Sequence, residues 1–240
     1  VPRNSNHLLR ICSAEDFALL QPHLEAVELS HRMSLEDIDR EIDWIYFPSS
    51  GIATTVAISR EGEQAEVGMF GCEGVSGSAV VNGVTRSPLQ TFVQVAGNGH
   101  RLRRAAFEAA LAESRSLLSL MLLFNQARSV QLAHTALSNA RHSIEERLAR
   151  WLVMCHDRTN NDDLPLTHEF LALMLGVRRA GVTTGLHILE GALIIKATRG
   201  LIHVRDRGRL EATAGDAYGL PEAEYKRLLG EFSCEAARQY

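Results

Sequence analysis

The stretch THEFLALMLGVRRAGVTTGLHILEGALI, residues 167–194, reads as two short amphipathic helices meeting at Gly176. Thr167 offers a hydroxyl to cap a helix over 168–175, and Gly176 stands where the connecting turn requires a positive φ. Leu171, Leu175, Val177, Val182, Leu186 and Leu189 fall on the inward face of the pair, and Ala172 is small enough to let the helices approach. The second helix, over 179–190, then turns Arg178, Arg179, Thr183, Thr184 and His187 outward. Arginine in the first turn of such a helix can donate two bonds to guanine O6 and N7, and threonine can touch a thymine methyl or a phosphate. Next comes LIIKATRGLIHVRD, two alternating runs joined at Arg199 and Gly200, which predicts a β-hairpin. Lys196 and Arg199 lie at or near its tip, within reach of a sugar-phosphate backbone. A helix-turn-helix followed by a basic hairpin is a winged helix, a far more specific combination than the helical pair alone.

The charge is distributed to match. The whole chain carries a net −4, but residues 167–210 hold seven basic side chains (Arg178, Arg179, Lys196, Arg199, Arg205, Arg207, Arg209) against Glu169, Glu190 and Asp206. That surplus of four leaves −8 for the remainder, so an acidic body carries a basic C-terminal segment. Phosphate attraction acts locally, within a Debye length, so the segment's own charge is what a duplex would meet.

Upstream, residues 27–95 are rich in short apolar or alternating runs broken by glycine: DWIYFPSSG, IATTVAIS, AEVGMFG, SGSAVVNG, TFVQVAG. Turn signals every eight to twelve residues predict an antiparallel sandwich or barrel, with a leading helix near 14–20 and a following one over 104–114. The period then changes from two to three and a half: Leu120, Leu123, Ala127, Val130, His134 and Leu137 recur at alternating spacings of three and four. Such a heptad seam predicts a helix that pairs with a second copy of itself, His134 helping to fix register, while Leu118 and Leu122 offer a second line toward the β region. A further amphipathic helix begins at Ser143, whose spacing from Glu146 fits a capping box, and ends near CHD at 155–157 before the polar loop TNNDDLP. VRDRGR, 204–209, reads as a charged turn, and the segment after Ala214 looks helical without a functional signal.

With 45% hydrophobic and 22% charged residues and no low-complexity tract, the 240-residue chain is expected to fold throughout, as two domains. The longest apolar run, 117–124, is too short to span a bilayer and no secretory pattern opens the chain, so a cytoplasmic location is expected. Cys12, Cys72, Cys155 and Cys234 show no metal-ligand or cluster spacing, which predicts reduced thiols with no shared site and no metal. Neither a nucleophile elbow, a zinc-protease helix nor a phosphate-binding loop occurs, so no catalytic residue is assigned.

The order of parts resembles the Crp/Fnr family of transcriptional regulators, from about His23 to Leu210, most specifically in LPLTHEFLALMLGVRRAGVTTGLHILEGALI, with IYFPSSG and SIEERLARWL in support. The resemblance implies an α+β fold: an N-terminal antiparallel, jelly-roll-like β-roll of the cyclic-nucleotide-binding type (1–115), a dimerisation helix (116–142), a winged helix-turn-helix (143–213) and a tail (214–240). It further implies a homodimer reading an inverted repeat in double-stranded DNA, with RNA polymerase as a further partner. By position, Arg179 matches the family's guanine-reading arginine, and Thr167 and His168 its phosphate contacts. Ala180 and Thr184 replace a glutamate and a second arginine, so the preferred site should differ, while Gly181 and Gly185 each cost the helix about 1 kcal/mol relative to alanine. In GCEGVSGSAVVNGVTRSP the resemblance marks Glu73, Arg86 and Ser87 as ribose and phosphate contacts. Their spacing is longer than in nucleotide-binding members, Pro88 replaces a small residue, and Leu132 and Ala133 lack the hydroxyls expected beside a base, which disfavours a cyclic nucleotide. No N-terminal cysteine cluster supports an oxygen-sensing iron-sulfur centre, while ten histidines leave a haem sensor open. The competing reading is a ligand-binding module that acts through protein partners and never touches DNA.

Overall fold

A computed structural model describes residues 6–159 and 161–234. The chain opens with α1 (His7–Ile11), capped by Asn6, and α2 (Ala14–Leu20), capped by Ser13. Seven strands follow: β1 (Glu25–Leu29), β2 (Ser34–Glu36), β3 (Trp44–Pro48), β4 (Ile52–Ile58), β5 (Gln64–Phe70), β6 (Gln90–Val95) and β7 (Gly97–Arg103), with α3 (Ser78–Val81) between β5 and β6. They form two antiparallel sheets, ordered β1-β7-β3 and β2-β6-β4-β5. Phe47, Phe70, Leu102 and Phe107 are fully enclosed in the core of this β-roll. Gly77, at φ 76°, is required there: a Cβ would come within 2.3 Å of Ile45.

Helices α4 (Arg104–Glu113) and α5 (Arg115–Arg141) follow the last strand, and α6 (Ile144–Thr159) begins where Ser143 accepts the Glu146 N–H and Glu146 accepts that of Ser143. Helix α6 continues through residues 155–157 rather than ending there, and the polar loop beyond it supplies β8 (Asp163–Leu164), too short to show in the sequence pattern. Then come α7 (His168–Leu175), α8 (Arg179–Gly191), β9 (Ile195–Thr198) and β10 (Leu201–Val204), the three short strands forming one antiparallel sheet ordered β8-β10-β9. The charged stretch at 204–209 is not a turn but the start of α9 (Arg207–Ala214), because Asp206 accepts the Arg209 N–H as an N-cap. No helix among the described residues is long and apolar enough to cross a membrane.

Helix α5 rests on the β-roll through Leu117, Met121, Phe124 and Ala127, all buried. Ala127, expected on a dimer seam, therefore faces the protomer's own core, because the β-roll rather than a partner helix sets the inward stripe here. Leu122, expected to rest on the β-roll, points away at 44% exposure. Leu123 and Leu137 are exposed, and Leu120, Val130 and His134 half-buried, so an apolar strip remains open along the helix.

The tail carries more structure than its sequence signals. After α9 the chain returns across the molecule as α10 (Leu220–Leu229), packed on α5, with Tyr225 and Leu229 entering the β-roll core. Two of the expected thiols are joined: Cys72 and Cys234 form a disulfide. Spacing could not reveal it, since 162 residues separate the pair and only the return of the tail brings them together.

The β-roll and the C-terminal helices share a second core, in which Ile52, Val56 and Met69 pack with Leu148, Trp151, Leu152 and Leu175. Buried polar contacts cross this joint, two of them to carboxylates. Arg158 Nε donates to Glu73 Oε1 at 2.8 Å, and Trp151 Nε1 donates to Glu66 Oε2 at 2.7 Å. Burial pushes the Glu66 carboxyl above its ordinary range, only partly offset by the bonds from Trp151 and Thr54 and by Arg150 and Arg158. A raised carboxylate pKa makes folding take up a proton, so Glu66 costs stability above its folded pKa, and the cost fades as pH falls toward the unfolded value of 4.5. Glu66→Gln keeps an acceptor for Trp151 without the charge. Thermal melts should place it about 2–4 °C above the parent at pH 7, the effect of roughly 1 kcal/mol in a chain of this size, with the gap closing near pH 4. A gap that widens toward acid would contradict this sign.

Candidate nucleic-acid interface

Helix α7 is capped by Thr167, whose Oγ1 accepts the Phe170 N–H at 3.2 Å, and closed by Gly176 at φ 60°. Arg178 is the N-cap residue of α8 and makes no side-chain cap bond. Arg178, Arg179, Thr184 and His187 are exposed along α8, while Val182, Gly185, Leu186 and Leu189 face inward. The glycines that weaken this helix have a packing reason. A Cβ at Gly181 would come within 2.8 Å of Ile144, and one at Gly185 within 3.2 Å of Leu148, so they let α8 lie close against α6. Thr183 and His168 are half-buried and share a hydrogen bond, Thr183 Oγ1 to His168 Nδ1 at 3.1 Å, which ties the start of α7 to α8. Burial, then Arg179 and His187, lower the His168 pKa, so the imidazole is neutral at pH 7 and acts as a hydrogen-bonding group.

The wing is a tight hairpin: Leu201 pairs with Thr198 across a turn of Arg199 and Gly200, the latter at φ 77°. Lys196 and Arg199 are exposed, as is Arg205, and Glu190 at the end of α8 accepts the Ala197 N–H at 3.1 Å, fixing wing to helix. Arg207, counted in the basic surplus, is committed inward to Asp157 at 2.6 Å. A cleft of about 1010 Å³ separates α7 from the β4–β5 turn, with Thr167, Phe170, Leu173 and Arg178 on one side and Ser59 and Glu63 on the other.

The three residues marked as ligand contacts are not gathered. Glu73 is buried and held by Arg158 and by the Gly71 N–H. Arg86 is exposed and paired with Glu41 at 2.8 Å, outside the cavity between the β-roll and α5, because the longer segment after α3 carries it to the surface. Ser87 alone lines the cavity between the β-roll and α5, about 190 Å³, together with Glu36, Thr55, Ser78, Asn125 and Arg128. Arg128 donates to Ser78 Oγ and Thr55 Oγ1 and makes no ion pair with a described residue. Burial lowers its pKa, with Glu36 and Glu73 opposing, and Asn125 Oδ1 is buried without a partner. In the sequence Asn125, Arg128 and Ser129 flank the heptad positions, where polar residues read as solvated. The signal that would have found Arg128 is its four-residue spacing from Phe124, which puts it on the side of α5 that meets the β-roll.

The sequence matches the Crp-like helix-turn-helix domain family over residues 146–213. No curated protein matches the chain. Among solved structures, one assigned to the Crp/Fnr family of transcriptional regulators in Eubacterium rectale is similar with a TM-score of 0.69 at 16% identity, covering 88% of this chain and 99% of that one. FixK2 of Bradyrhizobium japonicum gives 0.66 at 15% identity, covering 79% and 96%. The c-di-GMP-responsive global regulator CLP of Xanthomonas campestris gives 0.63 at 14% identity, covering 80% and 99%.

Proposed function

We propose that this chain, which carries a Crp-like helix-turn-helix domain on the fold of Crp/Fnr-family regulators, is a sequence-specific DNA-binding transcriptional regulator. The observation that carries the reading is the exposed row Arg178, Arg179, Thr184 and His187 on a helix whose other face is fully packed, joined to a wing that presents Lys196 and Arg199. Arg179 reads a base edge, and Thr167, His168, Lys196 and Arg199 position the duplex through its backbone. Thr183 acts mainly by holding His168. Residues 143–213 form the DNA-reading part, 1–115 the sensor, 116–142 the dimer helix and 214–240 the tail. The open strip of Leu120, Leu123, Val130, His134 and Leu137 pairs with its copy in a homodimer, placing two recognition helices about one DNA turn, roughly 34 Å, apart. Such a protein works where the chromosome is, in the cytoplasm, with RNA polymerase as its further partner, and no catalytic role is assigned.

The effector we infer is a small anion. Arg128 is a guanidinium that lies over the Phe70 ring and donates to two hydroxyls without forming an ion pair with a described residue, beside an unpaired amide oxygen that would accept a donor from the same ligand. With Arg86 at the surface and Glu73 held by Arg158, a cyclic nucleotide would lack the contacts that the resemblance implies.

Selection of bound duplexes from a randomised pool tests the function. An inverted repeat with half-site centres about 10–10.5 base pairs apart is expected. Arg179→Ala should weaken that site by about 1–3 kcal/mol and relax preference at one base per half-site. Enrichment of no sequence, or equal affinity for all sequences before and after the substitution, contradicts the reading.

A further inference from the structure

The C-terminal segment is a strap between the two parts of the molecule. On the DNA-reading side, Arg150 Nε donates to Ala217 O at 2.9 Å and Tyr218 Oη donates to Asp157 Oδ2 at 2.9 Å. On the sensor side, Tyr225 Oη donates to Glu73 O at 2.6 Å, His7 Nε2 bonds Leu229 O at 2.9 Å, and the Cys72–Cys234 disulfide fastens the end. Besides the link from α5 to α6 and the shared core with its buried polar contacts, this is a further tie between sensor and winged helix, and it carries a covalent clasp.

The location of that clasp is informative. A protein that reads chromosomal DNA works in a reducing compartment, where disulfides are rare and usually transient or redox-sensing. Both sulfurs are buried, but Cys234 sits in residues 230–234, which belong to no helix or strand, so exposing the bond requires opening of an irregular segment rather than of a helix or sheet. In the clasped state α7 packs beside β5, and the β4–β5 turn stands across the cleft from Thr167 and Arg178, with Ser59, Glu63 and the neighbouring Arg32 on its lining. A duplex approaching Thr167 and Arg178 therefore meets the β-roll across the cleft, which restricts its access to them.

We propose that Cys72 and Cys234 are a thiol-redox site that clasps the strap, and that reduction by a cellular thiol loosens the winged helix from the β4–β5 turn and raises its affinity for DNA. This rests on the DNA-reading assignment above. The step is ordinary exchange. One thiolate attacks a sulfur of the pair and expels the other as a thiolate that takes a proton. A second thiol then attacks the mixed disulfide, leaving two protein thiols and one small-molecule disulfide, so the protein gains two electrons and two protons. The clasp closes only when the strap is seated, so it biases the docked arrangement by that difference alone.

The test uses the full chain, oxidised with diamide or reduced with dithiothreitol, and carries three readouts. Alkylation after denaturation should count two reactive cysteines in the oxidised protein and four in the reduced one. Hydrogen exchange in residues 220–234, in α7 and in the β4–β5 turn should rise on reduction. Affinity for the duplex selected under reducing conditions should rise at least tenfold, while Cys234→Ser should bind like the reduced parent under both treatments. Four reactive cysteines after oxidation, or unchanged exchange in α7 and the turn, overturns the clasp. Changed exchange with equal affinity in both states overturns its control of DNA binding. If neither form binds any duplex yet exchange follows the redox state, the clasp stands and the DNA-reading assignment falls.

Discussion

Arg158→Met is expected to destabilise the fold by about 3–5 kcal/mol, more than any other single side-chain loss considered. The Arg158 and Glu73 side chains are only 5% and 3% exposed, and they meet at 2.8 Å across the joint between β-roll and α6. Burial opposes the arginine's charge, yet Glu73, Asp157 and Glu222 more than compensate and hold its pKa above the usual value. Removing the guanidinium leaves the Glu73 carboxylate without its charged partner, retaining only the Gly71 N–H donated to Oε2. Denaturant titration should show the loss in the midpoint, and melting should fall by roughly 6–20 °C. Glu73→Gln in the same chain should restore a large part of it, since a buried pair replaced on both sides often costs little. Failure of the double variant to recover would mean that Arg158 acts through packing, not through Glu73. Arg86→Ala is the contrast: its partner Glu41 is exposed, and solvent screens a surface pair so strongly that little change in the midpoint is expected.

The same two pairs explain what could be read from the residues and what could not. The helix-turn-helix was legible because its signals are local: Thr167 as cap, Gly176 as the left-handed stop, and apolar residues at helical spacing, and the observed α7 runs over His168–Leu175 as expected. The hairpin tip at Arg199 and Gly200 was legible for the same reason. Long-range pairings were not. Glu73 looked like a ligand contact because the resemblance marked it as one, and its actual partner lies 85 residues away, beyond any local signal. The disulfide depends on a tail that crosses the molecule, and the inward turn of Ala127 depends on the β-roll covering that part of α5. Where several rows of a helix are apolar, periodicity identifies the rows but tertiary packing decides which one is buried. Arg128 was missed on the same ground, since a charged residue beside a heptad reads as solvated until a sheet is laid over it.

Raising salt from 50 to 200 mM should weaken binding to the selected duplex by about a thousand- to a hundred-thousandfold, as expected for six to ten phosphate contacts per dimer. The slope of affinity against salt separates the roles of individual basic residues better than affinity does. On the proposed assignment Lys196→Ala and Arg199→Ala would each remove a backbone contact from both subunits of the dimer, so each should flatten the logarithmic slope by roughly two while leaving base preference unchanged. Arg179→Ala should do the reverse, relaxing preference while keeping most of the slope, because its contact is to a base edge. Arg207→Ala is the internal control. Its guanidinium is bound to Asp157 and Glu211, so its loss should leave the slope unaltered although the charge change equals that of Arg199→Ala. If all four substitutions moved the slope equally, net charge alone would govern binding, and the assignment of Lys196 and Arg199 as specific backbone contacts would fall. A slope that changes only with the two wing residues means that the duplex reads their placement on the hairpin rather than the total charge of the segment.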